Sequence, residues 1–149
     1  MLSVSVASPE ALTALLSLER AVFSDAWSES ALELHLHGGY SQTYLLTREG
    51  EPVGYLLAGG VPPESELYRV AVLPSARRTG GARALISRYL ADRRAVGDTA
   101  FFLEVRETNT AAQALYQAFG YTAVGKRKGY YKNPTEDACI YALDTSTLC

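Results

Sequence analysis

Residues 67–90 read LYRVAVLPSARRTGGARALISRYL, and the architecture follows most directly from this segment. It begins with a nearly continuous apolar run, Leu67 to Leu73, which Pro74 ends, and such a run is typical of a β-strand buried on both faces. Gly97 is expected to end the helix that follows. That helix has its apolar residues on one face, at Ala82, Leu85, Ile86, Tyr89 and Leu90. A strand followed by a helix that packs against it is typical of α/β domains, so we expect that fold class.

The loop between this strand and this helix, Arg77 to Ala82, is basic and rich in glycine. Backbone N–H groups at the start of a helix have no helical partner and lie at the positive end of the helix dipole, so they can hold a diphosphate. Arg77, Arg78 and Arg83 add charge that suits phosphate oxygens. The loop lacks the Gly-Lys-Ser/Thr of a Walker loop and the G-x-G-x-x-G of dinucleotide-binding proteins. By itself it is equally compatible with a glycine-rich helix entry whose arginines are solvated.

The residues before this segment predict one strand, two helices and a β-hairpin. Apolar and small polar residues alternate over residues 2–6, as in a half-buried strand. Helical spacing predicts a first helix over residues 8–22, with a serine cap and a proline at its start, and a second over residues 28–38. Two strands, Tyr44 to Thr47 and Val53 to Leu57, flank a turn that contains glycine, which indicates antiparallel pairing.

The residues after the segment predict three more strands and one helix. Thr99 to Val105 is apolar enough for a buried strand. Asn109 is the expected cap of a helix that Gly120 ends, with apolar positions at Ala112, Leu115, Tyr116 and Phe119. Strands are expected near Tyr121 to Lys126 and Ala138 to Leu143. Strand–helix–strand units imply local parallel pairing, so we expect a mixed sheet of about seven strands with about four helices on both faces.

The bulk composition limits the classes of function. With 149 residues, 48% hydrophobic and 20% charged, the chain is expected to form one domain over residues 1–149. A net charge of −2 argues against direct nucleic acid binding through a basic surface. Two cysteines, Cys139 and Cys149, and two histidines, His35 and His37, predict neither a disulfide framework nor a metal site. No apolar run approaches the ~20 residues of a membrane span, so we expect no membrane association and a cytoplasmic location.

A motif in the second half of the chain carries a family resemblance. The sequence from Leu103 to Tyr121 fits L-E-V-R-x-x-N-x-x-A-x-x-L-Y-x-x-x-G-[FY], and the pair Tyr130-Tyr131 follows. This pattern resembles the GNAT superfamily of acetyltransferases and, within it, the RimI-type ribosomal-protein-alanine N-acetyltransferases. The resemblance covers about residues 2–143. The family's phosphate loop, Gln/Arg-x-x-Gly-x-Gly/Ala, is matched at Arg77, Gly80 and Ala82.

The loop between the first two predicted helices also resembles this family, with aromatic residues at Phe23 and Trp27. Three positions depart from the family pattern. Ala26 lies where proline usually precedes the tryptophan, Leu73 where an acidic residue is common, and Gly129 where asparagine often precedes the tyrosine pair. These positions bear on recognition of the acceptor more than on binding of the cofactor.

The resemblance implies a GNAT-like, mostly antiparallel central sheet and a reaction in which an amine attacks acetyl-CoA directly. It implies that Glu104 is the general base and that Tyr116 is the general acid toward the leaving thiolate. From the residues alone, an ion pair of Glu104 with Arg106 and a core tyrosine at 116 are sufficient explanations. The implied acetyl-CoA-binding residues are Val70, Ala71, Val72, Arg77, Arg78, Thr79, Gly80, Gly81, Ala82, Arg83, Asn109 and Tyr116.

Two of these implied contacts depend on the backbone or on a residue with a second role. The strand that ends near Val72 is expected to splay from its neighbour, so that the backbone of Val70 and Val72 can pair with pantetheine amides. The Val72 N–H is the implied donor to the oxyanion. Asn109 is a helix cap by position, and the resemblance adds a contact to the pantetheine arm.

The expected acceptor is a protein N-terminus, and the resemblance points to the N-terminal alanine of small-subunit ribosomal protein eighteen. Trp27, Tyr130 and Tyr131 would wall the acceptor groove beside Glu104. A free α-amine has a pKa of about 7.7–8.0 and lysine about 10.4, so deprotonating the α-amine costs roughly 3.5 kcal/mol less. Two alternatives stay open: a lysine, polyamine or antibiotic amine as acceptor, and a non-catalytic acyl-CoA-binding module in which Glu104 and Tyr116 are structural.

Overall fold

Seven β-strands and four α-helices alternate along the chain in the computed structural model, which describes residues 1–132 and 134–145. The strands are β1 Leu2–Val6, β2 Ser41–Arg48, β3 Glu51–Gly59, β4 Glu64–Val72, β5 Ala100–Arg106, β6 Thr122–Tyr131 and β7 Glu136–Asp144. The helices are α1 Leu12–Val22, α2 Glu29–His37, α3 Gly81–Ala95 and α4 Thr110–Ala118. The predicted number and order of elements are confirmed. Cys149 lies outside the described residues.

The strands form one sheet in the order β1-β2-β3-β4-β5-β7-β6. Among these strands only the β4–β5 pair is parallel, and every other neighbouring pair is antiparallel. The mixed, mostly antiparallel sheet is therefore confirmed, as is parallel pairing across the α3 connection. The parallel pairing expected across α4 is not formed, because β7 lies between β5 and β6 and is antiparallel to both. A short connection lets β7 turn back from β6 into this gap.

The helix ends show which local sequence signals operate. The Ser28 side chain accepts a hydrogen bond from the Ala31 N–H at 3.1 Å and so caps α2. Ser8 makes no such bond, and a 3-10 turn, Pro9–Ala11, precedes α1, so the first helix begins later than predicted. None of the helices in the described part of the chain is both long and apolar enough to cross a membrane.

The helices cover both faces of the sheet, as predicted. One core lies under α3 and α4, and its fully buried residues include Leu85, Ile86, Tyr89, Phe101 and Leu103. The other lies under α1 and α2, and it contains Leu15, Leu18, Leu32, Tyr55, Leu57 and Ala71. Each face therefore buries its own apolar cluster, and the sheet separates the two.

A register irregularity in β4 changes the face of the sheet to which its side chains point. Leu57 of β3 is opposite Arg69, whereas the next residue, Ala58, is opposite Leu67, so Tyr68 is an extra residue on β4. Such a β-bulge interrupts the alternation of side chains between the faces. Leu67 consequently packs in the α3/α4 core, whereas Ala71 packs in the α1/α2 core.

The strands β4 and β5 separate beyond this bulge. Their pairing joins residues 64–67 to residues 100–103, although both strands continue further. On its other edge β4 stays paired with β3, and the Leu73 N–H donates to the Val53 carbonyl at 2.8 Å. Successive N–H groups of a strand point to opposite edges, so the Val72 N–H faces the gap between β4 and β5. The splay that the sequence predicts near Val72 is present.

Candidate active site

A cavity of about 190 Å³ lies at the N-terminus of α3, beside the separated end of β4. Seven of the residues predicted to bind the cofactor line it: Val72, Arg77, Arg78, Gly80, Gly81, Ala82 and Arg83. Ala76 and Leu115 also line the cavity and were not predicted. The phosphate loop thus forms a concave site that faces α4.

Two glycines shape this loop for different reasons. Gly80 has φ +85, a left-handed conformation that costs little only for glycine. Gly81 begins α3 directly above the core, where an added Cβ would lie 2.6 Å from Leu46 Cδ2. The first residue therefore turns the chain, and the second lets the helix start approach the sheet.

The polar groups of the loop separate into those that hold the loop and those that face the cavity. The Thr79 hydroxyl donates to the Ala76 carbonyl at 2.6 Å, and Thr79 does not line the cavity. Arg77 Nε donates to the Val72 carbonyl at 3.1 Å, which ties the loop to β4. The first hydrogen bond of α3 comes from the Ala84 N–H, so the three preceding N–H groups stay open. These N–H groups and the exposed arginines provide a cradle for an anionic group.

Glu104 lies on the opposite face of the sheet, at the end of β5 that has separated from β4. Its neighbours Leu103 and Val105 belong to the α3/α4 core, so the Glu104 side chain points to the other face. Oε1 forms an ion pair with Arg127 Nε at 3.3 Å, and Oε2 is buried without a partner among the described residues. The ion pair with Arg106 that the sequence offered as an alternative is not formed. Arg106 instead pairs with Asp25 and Glu136, each at 3.3 Å.

A second carboxylate beside Glu104 was missed by the sequence reasoning. Glu66 of β4 is in register with Phe102, so it lies one diagonal step from Glu104 on adjacent strands. Burial and the negative charge of Glu104 raise the pKa of Glu66, and Arg127 opposes this effect. Two carboxylates and one arginine therefore share this part of the surface. No local sequence pattern predicts this pair of carboxylates, because their proximity depends on strand register.

Tyr116 and Asn109 belong to α4, on the face of the cavity. The Asn109 side chain accepts from the Ala112 N–H at 3.1 Å, which confirms the predicted cap. The Tyr116 ring is buried edge-on against Tyr121, with 5.9 Å between ring centroids. Burial, and secondarily Tyr131, raises the pKa of Tyr116 well above its usual value, so its hydroxyl stays protonated throughout the physiological range. No described residue accepts a hydrogen bond from this hydroxyl.

The predicted aromatic residues form two clusters on the face of Glu104. Trp27 packs against His35 and Tyr68, with ring centroids 5.8 Å and 6.1 Å away. Tyr130 and Tyr131 pack against each other, with 5.0 Å between ring centroids. In the described part of the chain no ring contact joins the two clusters. Burial raises the pKa of Tyr68, Tyr130 and Tyr131, and nearby carboxylates add to this, Glu66 for Tyr68 and Glu104 for the other two, so the acidic pair lies near both clusters.

A buried carboxylate that sequence reasoning also missed fixes the Trp27 loop. Glu19 of α1 is fully buried and accepts hydrogen bonds from the Tyr55 hydroxyl, from the Trp27 N–H at 2.6 Å and from Arg69 Nη1 at 2.9 Å. Arg69 also contacts Asp25 at 3.4 Å, and Asp25 contacts Arg106 of β5. This chain of ion pairs joins the loop to the sheet. The sequence does contain a signal for this buried carboxylate, because Glu19 lies between apolar residues of an amphipathic helix.

Comparisons with known proteins agree with this arrangement. Residues 12–121 match the family model described as the acetyltransferase (GNAT) family. The chain is 31% identical over 137 residues, 91% of this chain and 92% of the relative, to the [ribosomal protein bS18]-alanine N-acetyltransferase of Escherichia coli (strain K12). The crystal structure of the Escherichia coli ribosomal-protein-S18-alanine N-acetyltransferase superposes with a TM-score of 0.91 at 30% identity, over 97% of this chain and 94% of that one. Arabidopsis thaliana NAA60 in complex with acetyl-CoA has the same fold, with a TM-score of 0.86 at 17% identity, over 97% and 98% of the two chains.

Proposed function

Because the chain belongs to the acetyltransferase (GNAT) family and is an acetyl-CoA-dependent N-acetyltransferase, we propose that its acceptor is a protein N-terminal α-amine. The N-terminal alanine of small-subunit ribosomal protein bS18 is the leading acceptor. One observation carries the proposal: a buried oxygen of Glu104, without a partner among the described residues, lies where β4 and β5 separate, across the sheet from the α3 cavity. We place the reaction in the cytoplasm, where ribosomal proteins are made.

The α3 cavity fits the cofactor's diphosphate, because its open N–H groups and arginines suit an anion and its glycines leave room for one. Residues 77–83 would hold the diphosphate. The open edge of β4 offers the backbone of Val70, Ala71 and Val72 to the amide arm, as an added strand would use it, and Asn109 would contact the same arm. Acetyl-CoA supplies an acetyl group activated as a thioester.

Glu104 is the proposed general base. Its Oε2 is buried without a hydrogen-bond partner among the described residues, and once the acceptor binds beside it, this oxygen would take a proton from the amine directly or through one water. An α-amine with a pKa of about 7.7–8.0 is partly neutral at pH 7, so one carboxylate is sufficient. Lysine, at about 10.4, would need roughly 3.5 kcal/mol more for the same deprotonation.

Val72 and Tyr116 are the proposed partners of the charges that develop during transfer. The Val72 N–H faces the gap between β4 and β5 and would donate to the acetyl oxygen. Tyr116, kept protonated by burial, would donate its proton to the departing thiolate. Both groups are in place before substrate binds, which reduces the reorganisation that the reaction requires.

Trp27, Tyr130 and Tyr131 are the proposed walls of the acceptor groove, with the acidic pair between them. A small N-terminal side chain such as that of alanine fits between flat aromatic walls. The curated relatives that match nearly the whole chain are named [ribosomal protein bS18]-alanine N-acetyltransferases, and this supports the choice of bS18 as acceptor here.

An acceptor panel tests this proposal. Release of CoA would be measured with a peptide that begins with free alanine, with the same peptide α-acetylated but carrying a lysine, and with a polyamine. We expect turnover with the first and at least about a hundredfold less with the others, because the lysine costs roughly 3.5 kcal/mol more to deprotonate. Faster turnover of the lysine peptide or of the polyamine would contradict the proposal that an N-terminal α-amine is the preferred acceptor.

A matched pair of variants tests the base. Glu104→Gln keeps the shape of the side chain and is expected to lower kcat by about 10²–10⁴ while folding is retained. Glu51→Gln removes a carboxylate from an exposed strand end and should leave kcat unchanged. Equal rates for the wild type and Glu104→Gln would leave Glu104 with a structural role only.

A further inference from the structure

Arg127 is the cation that pairs with Glu104, one member of the acidic pair. Its Nε lies 3.3 Å from Glu104 Oε1, and its charge also acts on Glu66. Arg127 is opposite Ala138 of β7, which in turn is opposite Arg106 of β5, so the three side chains share one face. The small Ala138 side chain lets Arg127 extend across β7 to reach Glu104.

This arginine is held much more loosely than the other two on the same face. The side chain of Arg127 is 59% exposed and makes one ion pair through Nε alone. Arg69 is 14% exposed, with Glu19 and Asp25 as partners, and Arg106 is 22% exposed, with two carboxylates and two carbonyls. An exposed ion pair of this kind contributes little to stability, so Arg127 can leave Glu104 at small cost.

Arg127 also has a second contact in this same conformation. Its guanidinium lies over the Tyr130 ring, 5.6 Å from the ring centroid. A cation over an aromatic face is stabilised without any carboxylate, so the side chain can move outward along Tyr130 and keep a partner.

The site that Arg127 would vacate is suited to an ammonium group. Glu104 Oε2 is buried without a partner among the described residues, and Glu66 supplies a second carboxylate on the adjacent strand. Two neighbouring carboxylates repel each other unless a cation or a shared proton lies between them. A protein N-terminus arrives mostly as an ammonium at pH 7, with the required charge and with three donors.

We infer that Arg127 is a built-in substitute for the acceptor's ammonium group: it pairs with Glu104, beside Glu66, in the free enzyme, and the incoming N-terminus displaces it. This inference rests on the proposed acceptor. Glu66 then acts in acceptor binding, whereas Glu104 both binds the ammonium and takes one of its protons, which leaves a neutral amine and a protonated carboxyl.

Equilibrium binding tests this inference without relying on turnover. A neutral-side-chain peptide with a free N-terminal alanine would be titrated into the enzyme saturated with CoA, so that no transfer occurs. Trp27 is the sole tryptophan, and its fluorescence would report binding. Arg127→Gln is expected to tighten peptide binding about two- to fivefold, the range for loss of one exposed ion pair. Glu66→Gln is expected to weaken it by a similar factor at pH 7, and less at pH 9, where the peptide arrives uncharged.

The controls separate this inference from the proposed reaction. Lys128→Gln removes the neighbouring exposed charge and should leave binding unchanged. When Glu66→Gln is already present, Arg127→Gln should tighten peptide binding by a smaller factor, because the two residues belong to the same site. Unchanged or weaker binding by Arg127→Gln, or no binding of the peptide at all, would overturn the inference. Suppose that Arg127→Gln binds the peptide more tightly but no acetyl group is transferred when acetyl-CoA is supplied. This result would support displacement of Arg127 and would contradict only the proposed reaction.

Discussion

Single residues differ in how far the local sequence around them predicts their place in the structure. Asn109 caps α4 as its position requires, and Glu104 and Tyr116 lie on the two faces that meet at the β4–β5 gap. Their motif spacing was enough to name them. Tyr116 is the more instructive case, because the core packing that explains it as a structural residue also keeps its hydroxyl protonated.

A pair of tyrosine variants separates chemistry from packing. Tyr116→Phe is expected to lower kcat by about 10²-fold, since it removes the acid but keeps the ring. Tyr121→Phe is the matched control, because Tyr121 packs on the same ring and its buried hydroxyl has no partner in the described structure. It should leave kcat unchanged and stabilise the fold by about 1 kcal/mol in urea unfolding, by removing a buried unsatisfied group. Equal kcat losses in both variants would assign Tyr116 to the core.

Other residues of the site could not be named from the sequence, for a physical reason. Glu66 meets Glu104 through the parallel β4–β5 register, and Arg127 reaches it only because β7 inserts between β5 and β6. Neither relation has a local pattern. Glu19 was accessible in principle, because a charged residue among the apolar positions of a helix needs a buried partner.

At the scale of elements, the loop before α3 and the loop before α2 carry residues of the two halves of the proposed site. The first was predicted from its glycines and arginines, and its cavity confirms a concave surface there. The second was predicted only as an aromatic loop. Its position depends on long-range contacts, in which Trp27 packs on His35 and Tyr68 and its N–H bonds to Glu19. Long-range contacts of this kind have no signature in a short stretch of sequence.

The start of α3 requires a residue without a Cβ. Gly81→Ala is expected to destabilise the protein by about 1–3 kcal/mol and to weaken CoA binding, because the new Cβ meets Leu46 Cδ2 in the core. Gly39→Ala is the control, since nothing lies within 4 Å of its added Cβ, and we expect no loss of stability. Urea unfolding and CoA titration measure the two effects. A Gly81→Ala variant as stable as the wild type, with unchanged CoA affinity, would contradict this account of the loop.

The aromatic cluster at the end of α2 should respond to pH. Burial lowers the pKa of His35 below 6.5, more than the hydrogen bond to the Gln42 carbonyl raises it. The folded state thus disfavours the charged form, so the stability that neutral His35 contributes is present above about pH 6.5 and is lost as the pH falls below it. We expect the wild type to lose more stability between pH 7.5 and 5.5 than His35→Gln in urea unfolding. His37 is exposed, so His37→Gln should lose as much stability over this pH range as the wild type does. An equal loss of stability in His35→Gln and in the wild type would contradict the prediction.

At the scale of the whole molecule, the sheet separates two faces, and it also contains an opening that connects them. Its two faces carry separate cores, one with the α3 cavity and the other with Glu104 and the aromatic clusters. An uninterrupted sheet would keep an acyl donor on one face away from an amine on the other. The Tyr68 bulge and the separation of β4 from β5 beyond residues 67 and 103 open the sheet at one place, where donor and acceptor can meet.

The central claim, acetyl transfer through this opening to an N-terminal α-amine, is tested most directly on whole bS18. Unacetylated bS18 would be incubated with the enzyme and acetyl-CoA, and fragment-ion mass spectrometry would locate the acetyl group among the α-amine and the lysines. The account predicts acetylation of the N-terminal alanine, with the lysines unmodified. Acetyl groups on lysine side chains with the N-terminus free, or no acetylation at all, would contradict it.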